Sequence, residues 1–447
     1  SSSSSSASET SLSECEKISR EWQYEREVRG AKSAVLDELI PMIGLARVKR
    51  EMMGIRSKVI IQNCQGVDPK QSKSRFNIIL SGNPGTGKTT VARLYCKLLV
   101  ELKVLSGSHM VETTGGMLAE EGIKLLDKQL SDIESQGGGL LFIDEAYQLK
   151  PKMSSNGRAV LDRLLTEMEN KIGKLVVAFA GYAKDMEELI AHNQGLPRRF
   201  PYQITFDDYS DDELLDIADS VWESKSKQAK RPYQLEDRSK GKYMTVAIRR
   251  LGKGRGRTGF GNAGAVQNLV DRILTNQATR LQAEARSGTL TNLFEITKAD
   301  MIGPPPGDVL QKSKAWKELN GMVGLGCVKD AVKSLAGLLE SNYQLELAGK
   351  PTCDVALNRL FLGNPGTGKT TVARLYGSIL KDFGLLTSGE LLERPASDFI
   401  GSAMGQSEEK TKAILASADG KVLLIDEAYN LDPSSRGSSS GGGGLSG

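Results

Sequence analysis

Two glycine-rich runs of identical sequence hold the residues best suited to binding phosphate. Residues 82–95, GNPGTGKTTVARLY, recur unchanged at 363–376. In the first run Gly82, Asn83, Pro84, Gly85, Thr86, Gly87, Lys88 and Thr89 fit the pattern GxxxxGK[ST], with Thr90 beside them. Glycine lets the main chain approach a phosphate closely, and amides at a helix start point at it. Lys88 reaches the outer phosphates, and the Thr89 hydroxyl can hold a magnesium ion. Gly363, Asn364, Pro365, Gly366, Thr367, Gly368, Lys369 and Thr370, followed by Thr371, repeat every element, Thr370 standing where Thr89 does.

Each run is followed by an acidic pair. Residues 141–147, LFIDEAY, and 423–429, LLIDEAY, carry an apolar stretch into Asp-Glu. Asp144 is expected to orient the water shell of the metal, and Glu145 to polarise an attacking water as general base. Asp426 and Glu427 repeat the arrangement. The expected cofactors are ATP and Mg2+, and the expected reaction is phosphoanhydride hydrolysis. His109 and His192 lack metal-ligand spacing, and the five cysteines form no CxxC pair, which predicts reduced, structural thiols.

Such a site needs a strand ending at the glycines and a helix beginning at the lysine. Residues 76–80 predict that strand and 88–100 the helix, while 140–143 and 175–180 read as further strands and 159–169 as a helix. The alternation is that of an α/β chain with a parallel sheet covered by helices. After residue 207 helical patterns take over, at 210–224 and 263–284, as a small lid requires. Pro304, Pro305, Pro306 and Gly307 predict a break in regular structure.

The expected organisation is a disordered Ser-rich start and helical lead-in (1–35), a nucleotide-binding core (36–207), a helical lid (208–300) and a linker (301–318). A partial second core (319–433) and a Gly/Ser-rich tail (434–447) follow. The second core stops soon after its acidic pair, so poor nucleotide binding is expected of it.

At 447 residues, with 39% hydrophobic and 26% charged, the chain has the composition of a globular protein of several domains. No run approaches the roughly 18 apolar residues of a membrane span, and Ser1 to Ser6 do not open a basic-then-apolar leader. The expected setting is intracellular, cytoplasmic or nuclear, without a membrane partner. The net charge of +4 conceals a basic stretch at 225–257, where twelve Lys or Arg face only Glu236 and Asp237. Such a stretch could be a nucleic-acid footprint; a solvated insertion is the favoured reading.

Taken with LLFIDEAYQL at 140–149, LLTEME at 164–169, VVAFAGY at 176–182 and NQGLPRRFPYQITFDDYSDDELL at 193–215, the chain resembles the AAA+ superfamily. Within it the resemblance is to the CbbX/CfxQ group that includes the stage V sporulation protein K-like ATPases. It covers residues 36–300 and again 319–433. It implies a P-loop AAA+ parallel sheet flanked by helices, a small helical lid, and a partial second AAA+ module.

The resemblance also implies roles. Arg198 and Arg199 stand where the family places arginine fingers, which reach the γ-phosphate of a neighbouring subunit. Tyr182 stands near the sensor 1 position. Residues 260–263, FGNA, open the sensor 2 helix, but Gly264 follows where relatives commonly carry arginine. Phe399, Ile400 and Gly401 look like a substrate-gripping pore loop, which the first copy replaces with TTGGMLAE, leaving Met117 and Leu118 as weaker grips. A ring-forming homo-oligomer, a hexamer among the arrangements, that remodels an unidentified protein or complex is what the resemblance implies. A nucleotide-gated scaffold with little turnover and a nucleic-acid-associated ATPase are the alternatives.

Overall fold

The computed structural model describes residues 13–67, 74–150, 155–192, 195–289, 292–400 and 406–431. The Ser-rich start up to residue 12, Asn193, Gly401 and the tail at 434–447 lie outside them. The chain divides into two compact units, with the break between Met301 and Ile302.

The first unit is built on five parallel strands: β1 (Ile78–Gly82), β2 (His109–Thr114), β3 (Gly139–Asp144), β4 (Leu175–Gly181) and β5 (Tyr202–Phe206). Their order across the sheet is β2-β3-β4-β1-β5. The inner strands are apolar on both faces, and every residue of β4 is buried, as a parallel sheet covered on both sides requires. One face packs Ile78, Leu80, Leu140, Phe142 and Val176 against α1 (Glu14–Arg29), α2 (Ala34–Leu39), α3 (Ala46–Cys64) and α4 (Lys88–Glu101). The other packs Ile79, Leu141, Ile143, Val177 and Phe179 against α5 (Gly115–Glu121), α6 (Ile123–Ser135), α7 (Ser155–Asn170) and α8 (Ala183–His192).

The edge strands β2 and β5 were not expected from the sequence. HMVETT and YQITF mix polar and apolar residues because each strand has a neighbour on one side only, so neither forms the continuous apolar run that marks an inner strand. The helical lead-in belongs to the core. Ser13 and Glu16 close a capping box at the start of α1, and Ile18 and Trp22 lie in the same apolar cluster as β1. The Trp22 indole donates to Asp37 at 3.0 Å.

A short helix α9 (Leu196–Arg199) precedes β5, and the lid follows it with α10 (Asp211–Gln228), α11 (Lys242–Gly252) and α12 (Asn262–Ser287). A small parallel pair, β6 (Gln234–Leu235) with β7 (Glu295–Ile296), and α13 (Lys298–Ile302) complete it. Asp300, almost fully buried, receives Arg280, which also donates to the Glu295 carbonyl at 2.8 Å.

The expected linker at 301–318 is instead largely helical: α14 (Pro306–Lys312) and α15 (Lys314–Gly321) occupy it. Pro306 begins a helix where its fixed φ and missing N–H cost nothing, and Ser313 caps the next helix by accepting from the Trp316 amide. These helices join α16 (Gly326–Leu347) and α17 (Lys369–Asp382) around Leu319, Val332, Tyr376 and Ile379. Among the described residues the second unit also holds α18 (Gln406–Ser417), the parallel pair β8 (Leu391–Pro395) with β9 (Val422–Asp426), and 3-10 turns at Ala396–Phe399 and Ala428–Leu431.

Burial in α4 pushes the Cys96 thiol up to about 11, whereas Cys64, Cys327 and Cys353 are exposed. A thiolate-directed alkylating reagent at pH 8 should therefore label these three in the native protein and react with Cys96 about 100-fold more slowly until the chain is unfolded. Mass-spectrometric mapping reads this directly, and rapid native labelling of Cys96 would contradict the packing.

Candidate functional site

The strand ends decide what meets. In a parallel sheet, ligands gather at the carboxyl ends of the strands. Register pairs Ser81 of β1 with Gly181 of β4, and Ile143 of β3 with Phe179 of β4, which brings the phosphate loop, Asp144 and Tyr182 to one end of the sheet. Glycines at positive φ, Gly85 at 69° and Gly87 at 93°, turn the loop into α4. Lys88 is the first residue of that helix, and its ammonium donates to the carbonyls of Gly82 at 2.9 Å and Asn83 at 2.8 Å. Burial lowers the Lys88 pKa, and the nearby Asp144 carboxylate works in the opposite direction. Thr86 is buried and donates to the Asn83 carbonyl, so the loop braces itself from within.

Asp144 ends β3, with one carboxylate oxygen accepting from the Glu145 amide at 2.9 Å. Glu145 adopts the left-handed conformation (φ 50°, ψ 39°) and starts a 3-10 turn, Ala146–Leu149. Its side chain accepts from the Gln148 amide at 2.6 Å. Tyr182 stands just beyond β4, with its ring 6.1 Å from that of Tyr147. A half-buried Thr89 hydroxyl and one Asp144 carboxylate are the donor set expected of a magnesium ion that takes its other ligands from water and phosphates. Among the described residues no group of three or more His, Cys, Asp or Glu forms a metal cage.

The lid is docked on the phosphate loop itself, a contact the sequence reading did not find. Asn83 donates to Asp208 at 2.9 Å and to the Arg257 carbonyl at 3.1 Å, and accepts from the Gly259 amide at 3.1 Å. Asn262, fully buried at the start of α12, donates to the Pro84 carbonyl and to Asp208, and accepts from the Tyr209 amide. Burial opposes ionisation of Asp208, but hydrogen bonds from Asn262, the Gly256 amide and Asn83 hold its carboxyl below the usual range. Tyr209 donates to the Thr86 carbonyl at 3.3 Å, and burial pushes its hydroxyl up to about 12. Gly264, at the expected sensor 2 position, has open space where a side chain would stand.

The two arginines part company. Arg199 is held by its own chain, donating to Glu169 at 2.8 Å and to the Gly195 carbonyl at 3.0 Å. Arg198 is exposed, and among the described residues its guanidinium has no partner. Within the basic stretch, Lys225 pairs with Asp271, Lys240 with Asp216 and Asp219, and Arg255 with Asp211. Lys227 also faces Glu223, so at least four of the twelve cations in the stretch meet carboxylates within the lid. Leu118 is fully buried in the core behind the sheet and cannot grip a substrate; Met117 remains exposed. Phe399 is buried as well, its ring packed away at the end of a 3-10 turn, so it does not project as a pore loop here.

The second unit repeats the local geometry without the scaffold. Lys369 donates to Gly363 at 2.9 Å and Asn364 at 3.1 Å, and Asp426 accepts from the Glu427 amide at 2.9 Å. Residues 351–364 form no strand, however, and Leu360, the counterpart of the buried Ile79, is 78% exposed. Among the described residues of this unit, nothing corresponds to β4 or β5, so the segment leading into the loop has no strand to pair with.

What the first unit can hold is a nucleoside triphosphate, and what it can do is hydrolyse it: the chain is a P-loop ATPase. The sequence pattern of the ATPase family associated with various cellular activities (AAA) fits residues 78–208 and 359–444, and that of the AAA lid domain fits 210–311. The chain is 33% identical to stage V sporulation protein K of Bacillus subtilis over 270 residues, which is 58% of this chain and 81% of that protein. It is 34% identical to protein CbbX of Cereibacter sphaeroides over 271 residues, 60% of this chain and 84% of that one. A stretch of 187 residues is 40% identical to the ESX-1 secretion system protein EccA1 of Mycobacterium leprae, covering 40% of this chain and 33% of that one. Among solved structures, the RuvB Holliday junction branch migration motor of Thermotoga maritima aligns over 69% of this chain and 88% of its own at 18% identity. The TM-score of that alignment is 0.37. The chain belongs to the AAA ATPase family, in the group that contains CbbX and stage V sporulation protein K. Among the described residues, no helix is long and apolar enough to cross a membrane.

Proposed function

We propose that the chain couples Mg-dependent ATP hydrolysis to the remodelling of a protein or complex, working as a ring-forming homo-oligomer. In this reading Lys88 and the loop amides hold the phosphates, and Thr89 and Asp144 hold the metal. Glu145 takes the proton of the attacking water, and Arg198 reaches the γ-phosphate of the adjacent subunit. Magnesium, when bound, would supply neutralisation of the negative charge on the triphosphate.

The observation that carries the reading is the contrast between the arginines. Arg199 already has a carboxylate partner, whereas Arg198 presents an exposed guanidinium that is unpaired among the described residues. Leaving a cation free is of use where a partner of opposite charge arrives from outside, as a neighbour's nucleotide would. The ion pairs of Lys225, Lys240 and Arg255 inside the lid withdraw part of the charge that a nucleic-acid surface would use.

Steady-state hydrolysis against protein concentration tests the proposal. Turnover per chain should rise cooperatively, and the rise should vanish in Arg198→Ala while the Kd for ATP stays within about twofold. Arg199→Ala should instead lower thermal stability through the loss of its Glu169 contact. Turnover independent of concentration in the unaltered chain would remove the shared-site reading. ATP binding without turnover would favour a nucleotide-gated scaffold.

A further inference from the structure

The proposed base is not free to choose its orientation. Glu145 is a non-glycine residue in the left-handed region, a conformation that costs on the order of 1 kcal/mol or more and persists only where neighbours over-determine it. The neighbour that does so is Gln148. Its main-chain amide donates to the Glu145 carbonyl at 2.9 Å, closing the 3-10 turn. Its side-chain amide returns to the Glu145 carboxylate at 2.6 Å. One residue thus pins both ends of Glu145.

The other end of the Gln148 amide rests on a second element. A Cβ at Gly116 would lie 2.3 Å from the Gln148 side-chain oxygen, and one at Gly115 would lie 2.4 Å from the Glu145 carbonyl. The first turn of α5 is therefore bare where Glu145 and Gln148 press on it. The next residue, Met117, is exposed. The second unit repeats the device with a shorter side chain: Glu427 also has φ 50°, and Asn430 donates to its carboxylate at 3.3 Å.

We propose that Gln148 is a positioning residue for hydrolysis: its amide fixes which carboxylate oxygen of Glu145 faces the attacking water and ties that choice to the first turn of α5. The proposal rests on Glu145 being the base. It makes the turn at 145–149 the link through which displacement of α5, at its exposed Met117, changes the rate of hydrolysis without touching nucleotide.

The test uses the full chain in four forms: Gln148→Leu, which removes the donor at similar size; Gln148→Asn, the residue of the second unit; Gly116→Ala, whose methyl displaces the amide; and the double variant Gly116→Ala with Gln148→Leu. Gln148→Leu should lower kcat about tenfold with the Kd for ATP unchanged, and Gln148→Asn should restore part of it. Gly116→Ala should match Gln148→Leu, and the double variant should be no worse than either single one, because both break the same contact. In the nucleotide-free protein, amide hydrogen exchange should quicken at 115–118 and 145–149 in Gln148→Leu and recover in Gln148→Asn.

A kcat within twofold of the unaltered chain in Gln148→Leu overturns the proposal, and so do additive losses in the double variant. Equal losses in the Leu and Asn variants accompanied by a fall in Tm also overturn it, since they mark a packing role only. If the unaltered chain turns over no faster than Glu145→Gln, the hydrolysis reading itself has failed and the proposal falls with it, an outcome visible without any Gln148 variant.

Discussion

Glu145→Gln should bind ATP as tightly as the unaltered chain and hydrolyse it about 1,000-fold more slowly. The substitution keeps size and shape, and a glutamine oxygen can still accept from Gln148, so the 3-10 turn at 146–149 has no reason to unwind. What disappears is the ability to take a proton. None of the groups that would hold phosphate is altered, because the loop glycines, Lys88 and Thr89 belong to the end of β1, the start of α4 and the loop between them, and not to the turn after β3. Binding and chemistry therefore separate. Equilibrium binding of ATP and phosphate release measured on one preparation check both halves. Residual turnover within tenfold of the unaltered chain would show that Glu145 is not the base. Glu427 would then need the same substitution, although its strand lies in a sheet of two, with β9 only half-buried.

The chemistry was legible in the sequence because it depends on neighbours along the chain. A loop that cradles phosphate and an acidic pair at a strand end are each written within a few consecutive residues. Inner strands such as 140–143 were legible for a similar reason: burial on both faces leaves an unbroken apolar run. The edge strands were not, since one-sided pairing tolerates Glu112, Gln203 and Thr205.

The docking of lid on loop was invisible for a different reason. Asn83 finds Asp208 and Gly259 across more than a hundred residues, and no local spacing encodes that meeting. Asn262 reads as an ordinary helix start until its side chain is seen to bond the Pro84 carbonyl and Asp208. Two residues of the expected pore loops are buried, while Met117 is exposed. Leu118 and Phe399 have the right chemistry for gripping a chain, but a short helix and a short turn direct them inward. Identical residues do not ensure an identical scaffold: the run at 82–95 follows the paired strand β1, whereas among the described residues the run at 363–376 follows a segment that pairs with no strand.

That pair of loops gives a matched experiment in one chain. Gly85→Ala should weaken ATP binding about 100-fold, a loss of about 2.7 kcal/mol, whereas Gly366→Ala should leave ATP binding and hydrolysis by the chain unchanged. Both glycines have positive φ, 69° and 78°, so an alanine at either position incurs the left-handed penalty of about 1–2 kcal/mol. They differ in what the new methyl meets. At Gly366 there is nothing within 4 Å. At Gly85 a Cβ would lie 2.2 Å from the Gly261 carbonyl and 3.0 Å from the Gly264 amide, both main-chain atoms that no rotamer change can move. The first turn of α12 must then lift from the loop, losing the Ala263 amide bond to the Gly85 carbonyl and loosening the Asn262 contacts beside it. Binding is the quantity that suffers, because the same loop amides must hold phosphate while the lid holds the loop. Isothermal titration with ATP separates the two variants. Equal affinities for both would mean that the lid's seat on the phosphate loop has no part in nucleotide binding. A loss confined to Gly85→Ala would make closure of the lid on the loop part of the binding event, so that nucleotide state and lid position report on one another.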